Sequence, residues 1–581
     1  MPESTALNPA ERAAEAAMAV VYACIEHHNS FRLEAGAGAG KTHSLITALK
    51  YVIAREGLTL GRRNQRIACI TYTNVAKGEI EARTDRHRVV HCDTIHGFCW
   101  SLLKDLQAEL RKELPKIEKC REKLDEVGGI GNRLVVYTLG HRKVKDEEVS
   151  IHHDDVLALF VALMEQPKFR ALLTARYPIL FIDEYQDTNR DVAGALIKHF
   201  LSNGSGPLIG LFGDHWQKIY DGVCGSIDHA ALKPINKGAN FRSVHAVVDV
   251  LNRMRPELPQ EVTDPVAEGF VAAYHTNQWG GRRRTESQWK DDLPPVEAHG
   301  CLASLKEHLA SQGWNFDSEE TKILMLTHTV LATEQGYGNL AAVFPYNDSF
   351  IKKEDDHIAF FADLLEPVCA AYHDRRFGQM FAALARGTPA ITSHQDKVAW
   401  TENMNDLLAV RESGTVGDVI DFLRRTGRPR LPESVERRER ERERLADAED
   451  GEVAADIQIL LKLRQVPYRE VVALTAFIDG HTPFSTKHGV KGAQFENVLV
   501  VVGRGWNKYD FNRMLEWAPS PSTVPADKRE FFERARNLFY VVCSRPKKRL
   551  AVLFTQRLSN QGLATLTNWF GAEGVHPWPV P

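Results

Sequence analysis

Residues 31–45 read FRLEAGAGAGKTHSL and decide the fold. A short β-prone stretch is followed by alternating glycine and alanine, and then by Lys41 and Thr42 at the start of an apolar helical pattern. Glycines at positions 36, 38 and 40 allow successive backbone N–H groups to form an anion nest at a helix N-terminus. The stretch therefore predicts a phosphate loop. Because Ala35 replaces the usual first glycine, a flexible Gly/Ala turn is the alternative.

The acids that complete a nucleotide site follow a second apolar run, in YPILFIDEYQDTN (177–189). The run predicts a buried parallel strand that delivers Asp183 and Glu184 to its carboxyl edge. We expect Lys41 to reach the β- and γ-phosphates, Thr42 and Asp183 to hold Mg²⁺, and Glu184 to deprotonate the attacking water. Both halves together predict hydrolysis of ATP, with ATP and Mg²⁺ as cofactors.

Four further motifs follow these two, and the order of all six resembles UvrD/Rep-type superfamily 1 DNA helicases. They are GDHWQKIY (213–220), NFRS (240–243), TKHGVKGAQF (486–495) and LFYVVCSRPKK (538–548). The resemblance implies an α/β fold with two RecA-like parallel-sheet P-loop motor domains, each with a mainly helical insertion. The implied domains are 1A at 1–96 and 166–240, 1B at 97–165, 2A at 241–335 and 455–581, and 2B at 336–454.

The resemblance also assigns catalytic roles beyond the phosphate loop. Gln217 would couple hydrolysis to movement, with an ordinary surface glutamine as the alternative. Arg242 and Arg545 would act on the γ-phosphate from the second motor domain, with structural ion pairs as the alternative. The expected contacts to the phosphates and to the start of the following helix are Ala35, Gly36, Ala37, Gly38, Ala39, Gly40, Lys41, Thr42 and His43.

The parts of the pattern that select the nucleotide depart from the family. Phe241 matches the ring that stacks on the base, but His43 stands where an arginine usually covers the other face. Gln494 replaces an acid at a position associated with the ribose. In LNPAE (7–11), Glu11 replaces the glutamine that reads adenine, and an ionised carboxylate accepts but cannot donate. The choice of ATP over GTP stays open.

Two segments, ITYTNVAKGEI (70–80) and DTIHGFC (93–99), resemble those that bind single-stranded DNA in this family. A sequence-independent track needs flat rings and phosphate contacts. The expected nucleic-acid contacts are Tyr72, Thr73, Asn74, His96, Tyr220, His488 and Lys491. Tyr72 has a core aromatic as its alternative. The tryptophan that often follows Tyr220 is missing, which removes a stack of about 1–3 kcal/mol unless Trp216 or Trp506 substitutes.

Composition limits the class of protein. The 73 basic and 76 acidic side chains give a net charge of −3, which excludes a uniformly basic nucleic-acid coat. Nine scattered cysteines without a C-x-x-C pair favour a cytoplasmic protein over a disulfide frame. The alternating charges of residues 435–452 predict an exposed helix.

The leading hypothesis is an ATP-dependent translocase on single-stranded DNA, moving 3′ to 5′ by resemblance, which separates tailed duplexes. The alternative is a DNA-sensing ATPase switch that regulates a nuclease without productive unwinding. Residues 488–512 and the chain length also resemble the UvrD-like subunit of Gabija antiphage systems. That resemblance implies a partner ATPase–nuclease of the OLD family.

Overall fold

The computed structural model describes residues 7–138, 142–204, 206–325, 332, 335–345, 348–384, 391–446, 455–479, 484–485, 493–503 and 509–581. The chain divides into two compact units. Unit 1 comprises Met1–Ala273, Lys508–Ala551 and Leu558–His576, and unit 2 comprises Tyr274–Asn507, Val552–Arg557 and Pro577–Pro581. The finer division into four domains stays a prediction.

The strands of the described residues are β1 (Phe31–Ala35), β2 (Ile67–Thr71), β3 (Val90–Thr94), β4 (Leu134–Tyr137), β5 (Lys143–Val144), β6 (Glu148–Ile151), β7 (Ile179–Asp183), β8 (Leu208–Gly213), β9 (Lys233–Lys237), β10 (Ala239–Asn240), β11 (Glu261–Val262), β12 (Phe270–His275), β13 (Thr321–Met325), β14 (Phe484–Ser485), β15 (Phe495–Val502), β16 (Pro546–Phe554) and β17 (Val575–Pro577).

The α-helices of the same residues are α1 (Pro9–Glu26), α2 (Lys41–Arg62), α3 (Asn74–Arg83), α4 (Ile95–Leu103), α5 (Gln107–Glu113), α6 (Glu118–Asp125), α7 (His153–Met164), α8 (Pro167–Arg176), α9 (Arg190–Leu196), α10 (His245–Met254), α11 (Pro295–Ser311), α12 (Gly338–Val343), α13 (Asp348–Ile351), α14 (Asp356–Phe360), α15 (Glu366–His373), α16 (Phe377–Leu384), α17 (His394–Ser413), α18 (Val416–Thr426), α19 (Glu433–Ala446), α20 (Ala455–Arg464), α21 (Arg469–Ile478), α22 (Phe511–Trp517), α23 (Arg529–Cys543) and α24 (Asn560–Phe570).

The core of unit 1 is a six-stranded parallel sheet with the order β3-β2-β7-β8-β1-β9. Its central strands β2, β7 and β8 are buried along their whole length, as expected when helices cover both faces of a parallel sheet. Phe31, Phe181 and Phe212 meet edge to face within it. Because all strands run the same way, the ends of β1, β7, β8 and β9 meet at one edge, where the predicted site residues lie.

The insertion predicted at 97–165 is helical in part. It contains most of α4 and all of α5, α6 and α7, and also a small sheet of order β4-β6-β5, in which β4 and β6 are parallel. Its apolar side chains join the core that also contains β7 and β8. The insertion therefore shares a hydrophobic core with the sheet of unit 1.

Parallel pairing recurs in unit 2, where β13 lies between β14 and β15. Parallel sheets with many helices confirm the predicted α/β fold class. In the described part of the chain, no helix is long and apolar enough to cross a membrane.

The charged helix α19 is not exposed on every side, so the prediction of an exposed helix is wrong for one face. Glu439 has no exposed surface. It accepts a hydrogen bond from Arg464 Nη1 at 2.8 Å and lies 3.1 Å from His357 Nε2. Ion pairing within unit 2 therefore allows this charged helix to be buried on one side.

Candidate active site

The phosphate loop joins β1 to α2. Gly38 and Gly40 have φ angles of +79° and +70°, a left-handed conformation that glycine adopts without strain. Gly40 is the N-cap of α2 and offers no side chain to its first N–H groups. Those N–H groups, with the positive end of the 22-residue helix behind them, form an anion site.

Two side-chain amides fix the loop from outside. Asn240 Nδ2 and Gln260 Nε2 both donate to the carbonyl oxygen of Ala37, at 3.1 and 3.2 Å. A Cβ on Gly38 would lie 2.7 Å from Asn240 Oδ1, and one on Gly36 would lie 2.7 Å from Gln260 Nε2. The close approach therefore requires glycine at both positions.

Ala35, the departure from the usual motif, is the last residue of β1. It is fully buried and pairs in register with Lys237 of β9. Because this position is extended strand and not loop, alanine is compatible with the phosphate loop. The alternative, a flexible Gly/Ala turn, does not fit this segment, because β1 and α2 hold its two ends and the Asn240 and Gln260 amides hold its middle.

The two acids of the second motif lie where the sequence predicts, at the end of β7. Asp183 is 3% exposed, and Glu184 follows it with a φ of +44°, which is unusual for a residue with a side chain. Lys41 Nζ lies 3.8 Å from Glu184 Oε1. Burial and the charge of Glu184 raise the pKa of Asp183 to about 7, against the opposing effect of Lys41.

This donor set fits a magnesium ion. A buried carboxylate beside a second, half-buried one is costly without a cation, and hard oxygen donors are the ligands that Mg²⁺ takes. Asp183 and the half-buried Thr42 would hold the ion. When bound, Mg²⁺ supplies charge neutralisation at the phosphates.

Gln217 is 4% exposed, so the alternative of a surface glutamine is wrong. Its Nε2 donates to Asp214 Oδ2 at 2.8 Å, and its Oε1 accepts from Arg545 Nη2 at 3.4 Å. Asp214 in turn lies 2.6 Å from Arg255 Nη1. A continuous series of polar contacts, from Arg545 through Gln217 and Asp214 to Arg255, therefore fixes the orientation of the Gln217 amide.

The two motif arginines lie in unit 1 together with Lys41. Arg242 Nη1 donates to the carbonyl oxygen of Ser544 at 2.9 Å, while its buried Nε has no hydrogen-bond partner among the residues that the structure describes. Arg545 is 1% exposed, and burial together with Arg242 lowers its pKa well below the usual value for arginine. Buried guanidinium groups of this kind favour an anion beside the phosphate loop.

The two residues of the predicted stacking pair both lie close to Gly40. A Cβ at that position would lie 3.7 Å from His43 Cβ and 3.9 Å from Phe241 Cδ2. Phe241 is 44% exposed, so its face is accessible. Burial, Lys237 and Arg83 lower the pKa of His43, which favours a neutral ring at pH 7. Both rings can therefore contact a base.

Two other selectivity residues have different surroundings. Glu11 closes a capping box at the start of α1, where Asn8 N–H donates to Glu11 Oε2 at 3.0 Å. Its carboxylate therefore has a local structural role. Gln494 lies in unit 2, exposed, directly before β15.

The predicted DNA contacts of unit 1 lie near the ends of β2, β3 and β8. Tyr72 is half-buried against the core and donates from Oη to Thr188 Oγ1 at 2.6 Å. Thr73 caps α3, and Asn74 is exposed at its first turn. The ring of His96 lies 4.9 Å from that of His153.

Tyr220 is 42% exposed. Trp216 is 7% exposed, and Arg536 covers its ring at 4.0 Å. The expectation that Trp216 could replace the missing tryptophan is therefore wrong. His488, Lys491 and Trp506 lie outside the described residues.

Several site residues were not predicted from the sequence. Asp214 and Asn240 stand inside quoted motifs, so the motifs were the available signal. The others lie outside every motif and are recognised only from contacts across the fold: Lys237, Arg255 and Gln260.

Comparison with known proteins agrees with this geometry. Residues 18–223 match the family model described as AAA domain, which spans the phosphate loop and both acids. At the level of the class, the fold and this match support an ATPase of the UvrD-like helicase type.

Most of the chain is also similar to one particular protein, Gabija protein GajB of Bacillus cereus (strain HuB5-5). The two are 25% identical, and the alignment covers 92% of this chain and 94% of the relative. The resemblance to UvrD-like helicases and to the helicase subunit of Gabija systems is confirmed.

Proposed function

We propose that this chain is an ATP-dependent DNA helicase that translocates 3′ to 5′ on single-stranded DNA. The observation that carries the proposal is the convergence of Lys41, Glu184 and the Gln217–Arg545 pair in one compact unit. The direction rests on the family resemblance.

Each side chain has a defined part in hydrolysis. Lys41 binds the β- and γ-phosphates, and Glu184 accepts a proton from the attacking water. The Glu184 carboxylate is held by Lys41 on one oxygen and by the Gln186 amide on the other. Arg242 and Arg545 offset the charge that develops on the γ-phosphate.

Gln217 couples this chemistry to DNA. It ends a short 3-10 turn, and Tyr220 follows three residues later with an exposed ring. A change in the hydrogen bonds of Gln217 when the γ-phosphate leaves is transmitted along this short segment. Tyr220 would then alternate between positions that hold and release a base.

The similarity to GajB supports a place in an antiphage defence complex. We propose an OLD-family ATPase–nuclease subunit, GajA-like, as the partner. DNA cutting would belong to that subunit, and this chain would supply ATP-driven handling of single-stranded or tailed duplex DNA.

A DNA-sensing switch is the second candidate, and the burial of Trp216 favours it. Of the rings around the third motif, within the part of the chain that is described, Tyr220 is exposed while Trp216 is covered. Fewer stacking surfaces weaken strand separation more than they weaken binding. ATP turnover would then signal bound DNA to a nuclease.

Unwinding of tailed duplexes distinguishes the two. The purified chain is given ATP with duplexes that carry a 3′ or a 5′ single-stranded tail, and Glu184→Gln serves as the control. The helicase proposal expects separation of the 3′-tailed duplex only, and none with the variant. DNA-stimulated ATP turnover without separation would support the switch and refute the helicase.

A further inference from the structure

Lys237 is a buried cation at the nucleotide site that the motifs do not include. It is the last residue of β9 and is 1% exposed. Its Nζ donates to Ser44 Oγ, in the first turns of α2, at 2.7 Å. Among the described residues, no carboxylate forms an ion pair with it, and the charge that acts on it is the like charge of Lys41.

A buried ammonium group without a counter-ion destabilises the folded protein, so its presence at this position suggests a function. Burial and the charge of Lys41 lower the pKa of Lys237 to about 8. An apolar residue would fill the same space at lower cost, because a buried ammonium without an anion loses its hydration. A ligand that brings negative charge would offset that loss.

The sheet order shows which end of a nucleotide Lys237 faces. Asp183 ends β7, on one side of β1, whereas Lys237 ends β9, on the other side. The metal and γ-phosphate end of the site is therefore toward β7. The base end is toward β9, where the exposed Phe241 ring lies.

Lys237 lies between the base position and the phosphate loop. Its Nζ would be 3.8 Å from a Cβ on Gly40, and His43 Cβ and Phe241 Cδ2 would lie within 4 Å of the same position. It is 5.6 Å from the centroid of the Phe241 ring. The phosphate nearest the base is the α-phosphate.

We propose that Lys237 binds the α-phosphate of the nucleotide and so sets affinity for nucleoside di- and triphosphates alike. This inference rests on the proposed function, because it assigns a further residue to the same nucleotide site. Lys237 has no part in the cleavage step, since it faces the end of the site away from Glu184.

Equilibrium binding and steady-state turnover of Lys237→Met test the proposal. The variant removes the charge and retains the length. Affinity for ATP and for ADP should fall by the same factor, about 10- to 100-fold, as for loss of one charge-assisted hydrogen bond. The affinities for GTP and GDP should fall by the same factor. The kcat at saturating ATP should change less than about threefold. Lys50→Met, which removes an exposed lysine of α2, should leave all four affinities unchanged.

Three results would overturn the proposal. Unchanged affinities would show that Lys237 does not contact the nucleotide. A loss of affinity confined to triphosphates would place Lys237 at the γ-phosphate, and a loss confined to either the adenine or the guanine nucleotides would place it at the base. Ser44→Ala gives a second test if Lys237→Met does not fold. Loss of the hydroxyl that positions Lys237 Nζ should weaken the binding of ATP and of ADP equally. Unchanged affinities would contradict the proposal. If the unmodified chain binds no nucleotide, the proposed function itself has failed.

Discussion

Replacing Arg255 by methionine is expected to destabilise unit 1 by about 3–5 kcal/mol, because it breaks a buried ion pair from one side. Arg255 Nη1 lies 2.6 Å from Asp214 Oδ1, and the two side chains are 2% and 0% exposed. Methionine retains most of the packing against Trp216, whose ring centroid lies 5.2 Å from the guanidinium carbon. The buried Asp214 carboxylate would be left without its counter-ion.

The loss should depend on pH in a defined direction. Burial alone raises the pKa of Asp214, but Arg255 and Lys41 bring it below its usual value. In the unmodified protein, Asp214 therefore contributes stability above its unfolded pKa, and this is lost as pH falls through the folded value. Without Arg255 the folded pKa should rise, so the variant regains stability on acidification. The difference between the two proteins should be larger at pH 7 than at pH 4.

Thermal and urea unfolding of the full chain measure the loss of stability. Asp214→Asn and the variant with both substitutions complete a double-mutant cycle. The double variant should be less destabilised than the sum of the single ones, since neutralising both partners leaves neither Asp214 nor Arg255 as a buried charge without the other. Lys198→Met is the matched control, because Lys198 Nζ lies 2.7 Å from Glu165 but the side chains are 62% and 54% exposed. It should not shift the midpoint measurably. A loss below about 1 kcal/mol for Arg255→Met, or additive effects of the two substitutions, would show that Arg255 does not stabilise the buried Asp214 carboxylate in this way.

Three further predictions follow from the same contacts. Gly38→Ala should weaken nucleotide binding at least tenfold, because a left-handed residue costs about 1–2 kcal/mol and its Cβ would lie 2.7 Å from Asn240 Oδ1. Gly128 has a φ of +76°, and no atom of the described residues lies within 4 Å of a Cβ built there, so Gly128→Ala should add the backbone strain without the loss of binding; titration with fluorescent ADP measures the affinity of both variants. Asn8→Ala should cost about 1 kcal/mol through the cap of α1 and leave the ratio of kcat/KM for ATP and GTP unchanged; a changed ratio would give the LNPAE segment a part in base selection. The stability of the unmodified protein relative to Lys237→Met should rise between pH 8 and 10, because the folded pKa of about 8 lies below the unfolded value of about 10.4, and only the unfolded chain binds the proton in that window. A difference in unfolding midpoint that does not change with pH would contradict it.

Local sequence was sufficient for the elements whose chemistry is contiguous. The phosphate loop lies between β1 and α2, and the acids end β7, because apolar runs and glycine spacing determine those conformations within a few residues. Ala35 shows why a literal motif is too strict. The position belongs to the strand, so a glycine is not required there.

The contacts that join distant parts of unit 1 could not be predicted from the sequence. Lys237 and Ser44 are 193 positions apart, and Arg545 and Gln217 are 328 apart. Burial of Lys237, Arg255 and Trp216 depends on partners of this kind, so polar or aromatic character alone gave no signal. Where a ring could face either DNA or the core, as for Trp216, only the packing decides.

The proposed active site and its dependence on DNA are tested together by the rate of ATP hydrolysis of the purified chain and of Glu184→Gln, each with and without single-stranded DNA. DNA is expected to raise turnover of the unmodified chain. The variant should bind ATP but hydrolyse it about 10²- to 10⁴-fold more slowly, as expected for loss of the general base. Turnover by Glu184→Gln at the unmodified rate would contradict the assigned site, and turnover indifferent to DNA would contradict the proposed DNA motor.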